Sequence, residues 1–317
     1  MGFTVLVTSQ SLAPAAQQIL RDAGGRLRFM AEPVSEQALV DQLVATPVDA
    51  ILLRGSPPIT ARVLDAAPTL RIIAKNGAGI DSVDLAEAAR RGVVVAVAAG
   101  ANADAVAEHA LALMLALTRD LPALDRGVRL GRWAGSGHQG RDFSGSVVGI
   151  VGFGAIGRST AQLAAALGAR VLVLRRAGSA EPFATETGLD ALLARAGILS
   201  LHCPLTERSR GLIGRRELAL MRPGALLVNT ARGALVDEAA LVDALRSGHL
   251  GGAGLDTFAT EPLPADHPLA ALDNVILTPH VAGVTRDAAL RVTTMTATHI
   301  VDCLAGRALP TERLVRG

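Results

Sequence analysis

The chain has 317 residues, half of them hydrophobic and 19% charged, which suits one large or two medium domains and excludes a disordered chain. Basic residues number 31 and acidic 29, a net charge of +2 with no basic run, and the aromatics are six Phe and one Trp. A nucleic-acid binder, which needs a clustered positive face or stacking platforms, is therefore not expected.

Cys203 and Cys303 are the two cysteines and lie far apart. That is neither a disulfide framework nor zinc spacing, so the expectation is a reducing cytoplasm and no metal. The N-terminus lacks the charged and apolar regions of a signal peptide. The longest apolar stretch, Ala103–Leu117, is interrupted by Asp104, Glu108 and His109 and is too short to cross a bilayer.

In the first third, strands are expected at Thr4–Val7, Asp49–Leu53, Arg71–Ala74 and Val93–Val97, with helices at Ala13–Ala23, Glu36–Leu43, Ala61–Ala66 and Leu85–Arg90. Continuous apolar strands alternating with helices indicate a parallel sheet covered on both faces. A long helix over Ala103–Arg119 and an irregular Gly-rich segment, Gly127–Gly145, break the rhythm. Alternation then resumes. Strands are expected at Val147–Val151, Arg170–Leu174, Ile198–Leu201, Ala225–Asn229, Gly252–Leu255 and Val275–Leu277. The helices between them are Ala155–Leu167, Leu189–Ala194, Arg216–Met221 and Glu238–Ser247, and a last helix covers Arg286–Leu304. The pattern is that of an α/β protein with two lobes.

Val147–Val151 runs directly into Gly152-Phe-Gly154-Ala-Ile-Gly157 and then a helix. Strand, G-x-G-x-x-G, helix is the context in which the pattern binds a dinucleotide. Gly152 permits the tight turn, Gly154 lets backbone N–H groups approach a pyrophosphate, and Gly157 allows close helix–strand packing. A methyltransferase can share such a loop. In the NAD version an acidic residue ends the second strand and holds the ribose 2′-OH. Here Arg170–Leu174 ends in Arg175 and Arg176. These are either two solvated charges or a site for the 2′-phosphate of NADP, and NADPH is the expected preference over NADH.

Further blocks carry a resemblance over almost the whole chain. They are Asn76-Gly-Ala-Gly-Ile-Asp81, Ala107-Glu-His-Ala-Leu-Ala-Leu-Met-Leu115, Leu201-His-Cys-Pro-Leu-Thr206, Asn229-Thr-Ala-Arg-Gly233, Gly254-Leu-Asp-Thr-Phe258 with Glu261-Pro262, and Thr278-Pro-His280. In this order they resemble the D-isomer-specific 2-hydroxyacid dehydrogenase family. The resemblance implies two Rossmann-like or flavodoxin-like lobes with parallel sheets and the active site in the cleft between them. It implies a substrate-binding domain of residues 1–98 plus 284–317, an NAD(P)-binding domain of residues 99–283, and a homodimer built through the cofactor lobes.

It also implies a catalytic arginine at Arg232, an acid at Glu261 and a histidine at His280. The chemistry suits these types. Guanidinium offers a planar fork to a substrate carboxylate. Imidazole donates a proton to a developing alkoxide. A carboxylate beside an imidazole fixes its tautomer and favours its charged form. The hydride is the cofactor's own chemistry. Taken singly, Arg232 also reads as a strand-end charge, Glu261 as a cap before Pro262, and His280 as a buried structural histidine. Cofactor contacts implied by the resemblance fall on Gly152, Gly154, Ala155, Ile156, Gly157, Arg175, Arg176, His202, Pro204, Thr230, Ala231 and Asp256. Substrate contacts fall on Arg54, Ala78 and Gly79, with Arg232 and His280. Glu108 and His109 are expected to be structural.

Phosphoglycerate dehydrogenases are a near branch and need cations for the substrate phosphate. This chain keeps Arg54, but Trp133-Ala-Gly135 stands where that branch reads Trp-Asp-Arg, and no regulatory domain is expected after the last helix. The expected substrate is therefore a small unphosphorylated 2-keto acid such as glyoxylate or hydroxypyruvate. The alternatives are D-3-phosphoglycerate dehydrogenase activity and a non-enzymatic, dinucleotide-sensing corepressor-like protein. Formate dehydrogenases carry glutamine in place of Glu261 and are disfavoured.

Overall fold

The computed structural model describes residues 2–77, 79–174 and 181–315. It divides into two compact units, Met1–Asn102 with Val284–Gly317, and Ala103–Gly283.

The first unit begins with β1 (Phe3–Val7), α1 (Pro14–Asp22), β2 (Gly25–Phe29), α2 (Glu36–Ala45), β3 (Ala50–Leu53), α3 (Ala61–Asp65), β4 (Ile72–Lys75), α4 (Leu85–Arg90) and β5 (Val94–Val97). The second contains α5 (Ala103–Thr118), α6 (Leu121–Arg129), β6 (Val147–Val151), α7 (Ala155–Ala166), β7 (Arg170–Leu174), β8 (Ala184–Glu186) and α8 (Leu189–Arg195). It continues with β9 (Ile198–Leu201), α9 (Arg215–Leu220), β10 (Ala225–Asn229), α10 (Glu238–Arg246), β11 (Leu250–Leu255) and β12 (Val275–Leu277). The chain then returns to the first unit with α11 (Arg286–Leu304) and β13 (Leu314–Val315).

Among the described residues the first sheet has the order β13-β5-β4-β3-β1-β2. It is parallel except for β13, which runs antiparallel to β5. Every residue of β3 and β4 is buried, as the runs Ala-Ile-Leu-Leu and Ile-Ile-Ala-Lys require of strands covered on both faces. One face packs Leu39, Leu43, Val63 and Ala88 of α2, α3 and α4. The other packs Ala16 and Leu20 of α1 with Ala297 and Ile300 of α11. Truncating a fully buried member such as Leu39 or Ile73 to alanine would cost about 2–5 kcal/mol. The polar residue before a helix often accepts from its first turn: Ser35 from Ala38 N, Asp237 from Ala240 N and Thr285 from Ala288 N, at 3.0–3.2 Å.

The second sheet is wholly parallel, in the order β12-β11-β10-β9-β6-β7-β8. The chain runs outward from β6 to one edge and restarts on its other side with β9. The loop after β6 therefore opens at the topological switch point, where ligands bind in such sheets. Helix α5 buries Ala103, Ala107, Ala110, Met114 and Leu117, one stripe at helical spacing, against α7, β10 and β11.

Three strands escape the expectations. In β2 the sequence Gly-Arg-Leu-Arg-Phe alternates polar and apolar residues, as befits the sheet edge it occupies. Strands β8 and β13 have three and two residues, too few to show a period. The segment expected to be irregular from Gly127 begins inside α6. That helix buries none of its residues and is stapled by Asp125–Arg129 at 2.8 Å.

Candidate active site

Glycine geometry shapes the loop after β6. Gly152 has φ +93°, and a Cβ there would lie 2.5 Å from Cys203 N. At Gly157 a Cβ would fall 2.0 Å from Gly152 O, so helix α7 can approach the strand only through glycine. Gly154 is the N-cap of α7, and a Cβ at it would meet nothing within 4 Å. Open space thus sits over a twelve-residue helix N-terminus, where the first-turn N–H groups of Ala155, Ile156 and Gly157 are to be satisfied. A pyrophosphate fits that cradle.

Two orphaned polar atoms lie at the same carboxyl edge of the sheet. Thr230 Oγ1, after β10, and His202 Nδ1, after β9, are buried and have no hydrogen-bond partner among the described residues. Buried polar atoms of this kind call for a ligand or water. His202 N donates to Val151 O at 2.8 Å and its Nε2 pairs with Ser200 Oγ at 2.9 Å. Burial holds its imidazole down to about 4. Pro204 follows in the same segment, with its carbonyl accepting from Ser209 Oγ at 2.7 Å. Arg175 and Arg176 lie outside the described residues.

Arg232 stands in the turn after β10. Asn229, 1% exposed, clasps that turn: its Nδ2 donates to Arg232 O at 2.8 Å and its Oδ1 accepts from Ala231 N at 3.0 Å. Arg232 Nη1 donates to Ala231 O at 2.7 Å. The next residue, Gly233, packs so closely that a Cβ would lie 1.9 Å from Phe258 C. The turn bearing Arg232 is thereby pressed onto the segment leading to Glu261.

Glu261 Oε1 accepts from Phe258 N at 2.9 Å, and Oε2 accepts from His280 Nδ1 at 2.7 Å. The two side chains are 36% and 50% exposed, so the pair meets solvent. An ionised carboxylate only accepts, hence Nδ1 carries the proton and Nε2 is the ring atom left for a substrate. His280 has φ +55°, a left-handed conformation costing a non-glycine residue about 1–3 kcal/mol.

Asp256, wholly buried after β11, organises the turn around His280. Its Oδ1 accepts from Thr278 Oγ1 at 2.5 Å and Val281 N at 2.9 Å, and its Oδ2 accepts from Ala282 N at 2.8 Å. Asn229 and Thr278 are the positions whose part the sequence did not disclose. Both lay inside the family-like blocks, and the only signal was a polar residue at the end of an apolar strand.

In the first unit, a cavity of about 530 Å³ opens beyond the carboxyl ends of β1, β3 and β4, lined by Thr8, Ser9, Glu32, Arg54, Ser56 and Asn76. The order β4-β3-β1-β2 puts the switch point of that sheet there. Arg54 N donates to Thr8 Oγ1 at 2.9 Å and Arg54 Nη1 to Ser11 O at 3.2 Å. Gly79 follows β4 and is half-buried, and Ala78 lies outside the described residues. Glu108 is exposed on α5, whereas His109 is half-buried and reaches Thr278. Among the described residues no helix is long and apolar enough to cross a membrane, and no cluster of His, Cys, Asp or Glu could hold a metal ion.

Comparison with known proteins identifies the family. Residues 111–282 match the model of the D-isomer specific 2-hydroxyacid dehydrogenase, NAD binding domain. A D-3-phosphoglycerate dehydrogenase of Mycobacterium tuberculosis H37Rv is 42% identical over 315 residues, 98% of this chain and 58% of that protein. The chain thus spans little more than half the length of that relative. A glyoxylate reductase of Korarchaeum cryptofilum is 38% identical over 290 residues, 88% of this chain and 86% of the relative. The crystal structure of a glyoxylate reductase from Paecilomyes thermophila superposes with a TM-score of 0.90 at 28% identity, covering 99% of this chain and 98% of that one. With a matching model over more than half its length and relatives of this identity, the chain belongs to the D-isomer specific 2-hydroxyacid dehydrogenase family.

Proposed function

We propose that the protein reduces a small, unphosphorylated 2-keto acid of the glyoxylate or hydroxypyruvate type to the D-2-hydroxy acid, with NADPH preferred over NADH. The observation that carries the reading is the His280 Nδ1–Glu261 Oε2 hydrogen bond of 2.7 Å, next to a turn that presents Arg232. A bound nicotinamide cofactor supplies the hydride.

The chain's residues do the rest. Arg232 binds the carboxylate of the keto acid through its planar fork. His280, charged and held by Glu261, donates the proton on Nε2 to the carbonyl oxygen as negative charge develops there. The neutral ring left behind keeps its Nδ1 proton on Glu261, so its orientation is retained for the next turnover. In the first unit, Arg54, Ala78 and Gly79 serve the substrate as well.

The glycine cradle over α7, with the orphaned atoms of Thr230 and His202, supports dinucleotide binding. Ala155, Ile156, Pro204, Ala231 and Asp256 complete that set. The NADPH preference rests on Arg175 and Arg176 following β7 where an acidic residue would repel a 2′-phosphate. The same reading takes the protein as a cytoplasmic homodimer joined through the second unit. Trp133 is 84% exposed, and Leu121, Val128 and Leu130, close to it in sequence, are exposed as well, apolar side chains suited to burial against a second copy.

A second reading, reduction of 3-phosphohydroxypyruvate, is favoured by the 42% identity to a phosphoglycerate dehydrogenase and by Arg54 in the first cavity. Turnover of glyoxylate, hydroxypyruvate and 3-phosphohydroxypyruvate with NADPH and with NADH separates the two. Higher kcat/KM for the phosphorylated acid would overturn the first reading.

A further inference from the structure

Behind the His280 turn lies a largely buried chain of polar atoms that takes no part in the proton transfer itself. Thr278 Oγ1 is 2.5 Å from Asp256 Oδ1 and 3.1 Å from His109 Nε2 on α5. The hydroxyl has one proton. Asp256 is 1% exposed, and each of its carboxylate oxygens already accepts from an N–H, so the hydroxyl proton goes to Oδ1. Thr278 Oγ1 therefore accepts from His109, and His109 must carry a proton on Nε2. The same Nε2 is 3.7 Å from Asp256 Oδ1, close enough to favour this orientation electrostatically.

The chain ends on the backbone around the proton donor. Asp256 holds Thr278 on one side of His280 and Val281 N and Ala282 N on the other. His280 N also bonds to Thr278 O at 3.0 Å. The left-handed conformation of His280, φ +55°, is one a non-glycine residue keeps only where its surroundings fix it. Here Asp256 fixes them, and α5 reaches that network through one donor, His109, on Thr278.

We infer that His109 is a positioning residue for His280: by donating from Nε2 to Thr278 Oγ1 it locks the hydroxyl onto Asp256 and so holds the turn that aims the His280 ring. The inference rests on the reading of His280 as proton donor. It assigns His109 no contact with substrate or cofactor.

The test uses the intact protein with His109→Leu, His109→Gln, Thr278→Val and the Leu/Val double variant. Glutamine can place an amide N–H near the position of Nε2; leucine keeps bulk and removes the donor. With glyoxylate or hydroxypyruvate as substrate, His109→Leu should lower kcat about tenfold, the scale of one lost hydrogen bond to a charged network. Cofactor KM should stay within about twofold, and His109→Gln should recover most of the loss. The double variant should be no slower than the worse single variant, since both cut one chain. Equal kcat in wild type and His109→Leu, a glutamine variant as slow as leucine, or additive losses would each overturn the inference. The ¹⁵N resonances of the His280 ring give a readout independent of turnover. They should move in His109→Leu and return in His109→Gln. If neither keto acid is reduced by the wild type, the substrate reading fails, and unmoved His280 resonances would still overturn this one.

Discussion

His280 Nδ1 and Glu261 Oε2 meet at 2.7 Å although nineteen positions separate them in the chain. Glu261 is fixed in turn by Phe258 N, and the backbone at His280 by the Asp256-held turn, so the bond between the two side chains is supported from both ends. The general acid proposed here thus has a pre-oriented ring. His280→Ala should lower keto-acid turnover by roughly 10²–10⁴ with cofactor affinity little changed, the usual weight of general acid catalysis. Steady-state kinetics with cofactor titration checks it, and near-normal kcat would remove His280 from the role.

For Arg232 the informative change keeps the charge. Arg232→Lys should cost roughly 10- to 100-fold in kcat/KM for the keto acid, because lysine lacks the bidentate fork. Cofactor KM should hold. A matching loss in cofactor affinity would mean that Arg232 serves the dinucleotide instead.

The proposed NADPH preference rests on the sequence that follows β7. Arg175→Asp should shift preference from NADPH toward NADH, since a single Arg–phosphate contact is worth about tenfold or more. Raising salt should weaken the wild-type preference, part of which is screened attraction. Wild-type kcat/KM values favouring NADH would refute the NADPH reading and leave the rest standing.

Gly157 offers a test of the loop independent of chemistry. In Gly157→Ala the new methyl would lie 2.0 Å from Gly152 O, a backbone atom that cannot swing aside, with His202 Cβ at 3.4 Å. Cofactor affinity should fall steeply and stability by about 1–3 kcal/mol. Isothermal titration with NADPH and NADH, beside thermal unfolding, measures both.

The buried ring of His202 makes stability depend on pH. Its folded value is lowered to about 4 from 6.5, so the unfolded state takes up a proton at this position before the folded state does. The contribution is fully present above pH 6.5 and is lost as pH falls toward 4, at up to ~1.4 kcal/mol per unit. Denaturant unfolding of wild type and His202→Gln at pH 7 and pH 4 should show their stability difference shift by roughly 3 kcal/mol against the wild type. A constant difference would mean the ring is hydrated.

Much of this protein is local and can be read in the sequence. Strands such as Ala50–Leu53 and residues 72–74 of β4 are apolar throughout because they are covered on both faces, and the caps Ser35, Asp237 and Thr285 announce their helices. The glycine loop is legible because its constraints act within six residues: Gly152 and Gly157 exclude a side chain for steric reasons, and Gly154 leaves open space at the helix end. Edge strands β2 and β13, and the solvent-facing helix α6, are less legible because little burial patterns them. What the sequence could not decide is what meets across distance. Gly233 against Phe258, Asp256 around the His280 turn, and His109 through Thr278 to Asp256 join residues from different strands, helices and loops. Each depends on parallel strands ending at one edge of the sheet, a relation that loop lengths and packing set and that no local periodicity encodes. A buried hydrogen bond depends on both partners and on the water removed around them, so only the folded chain determines it.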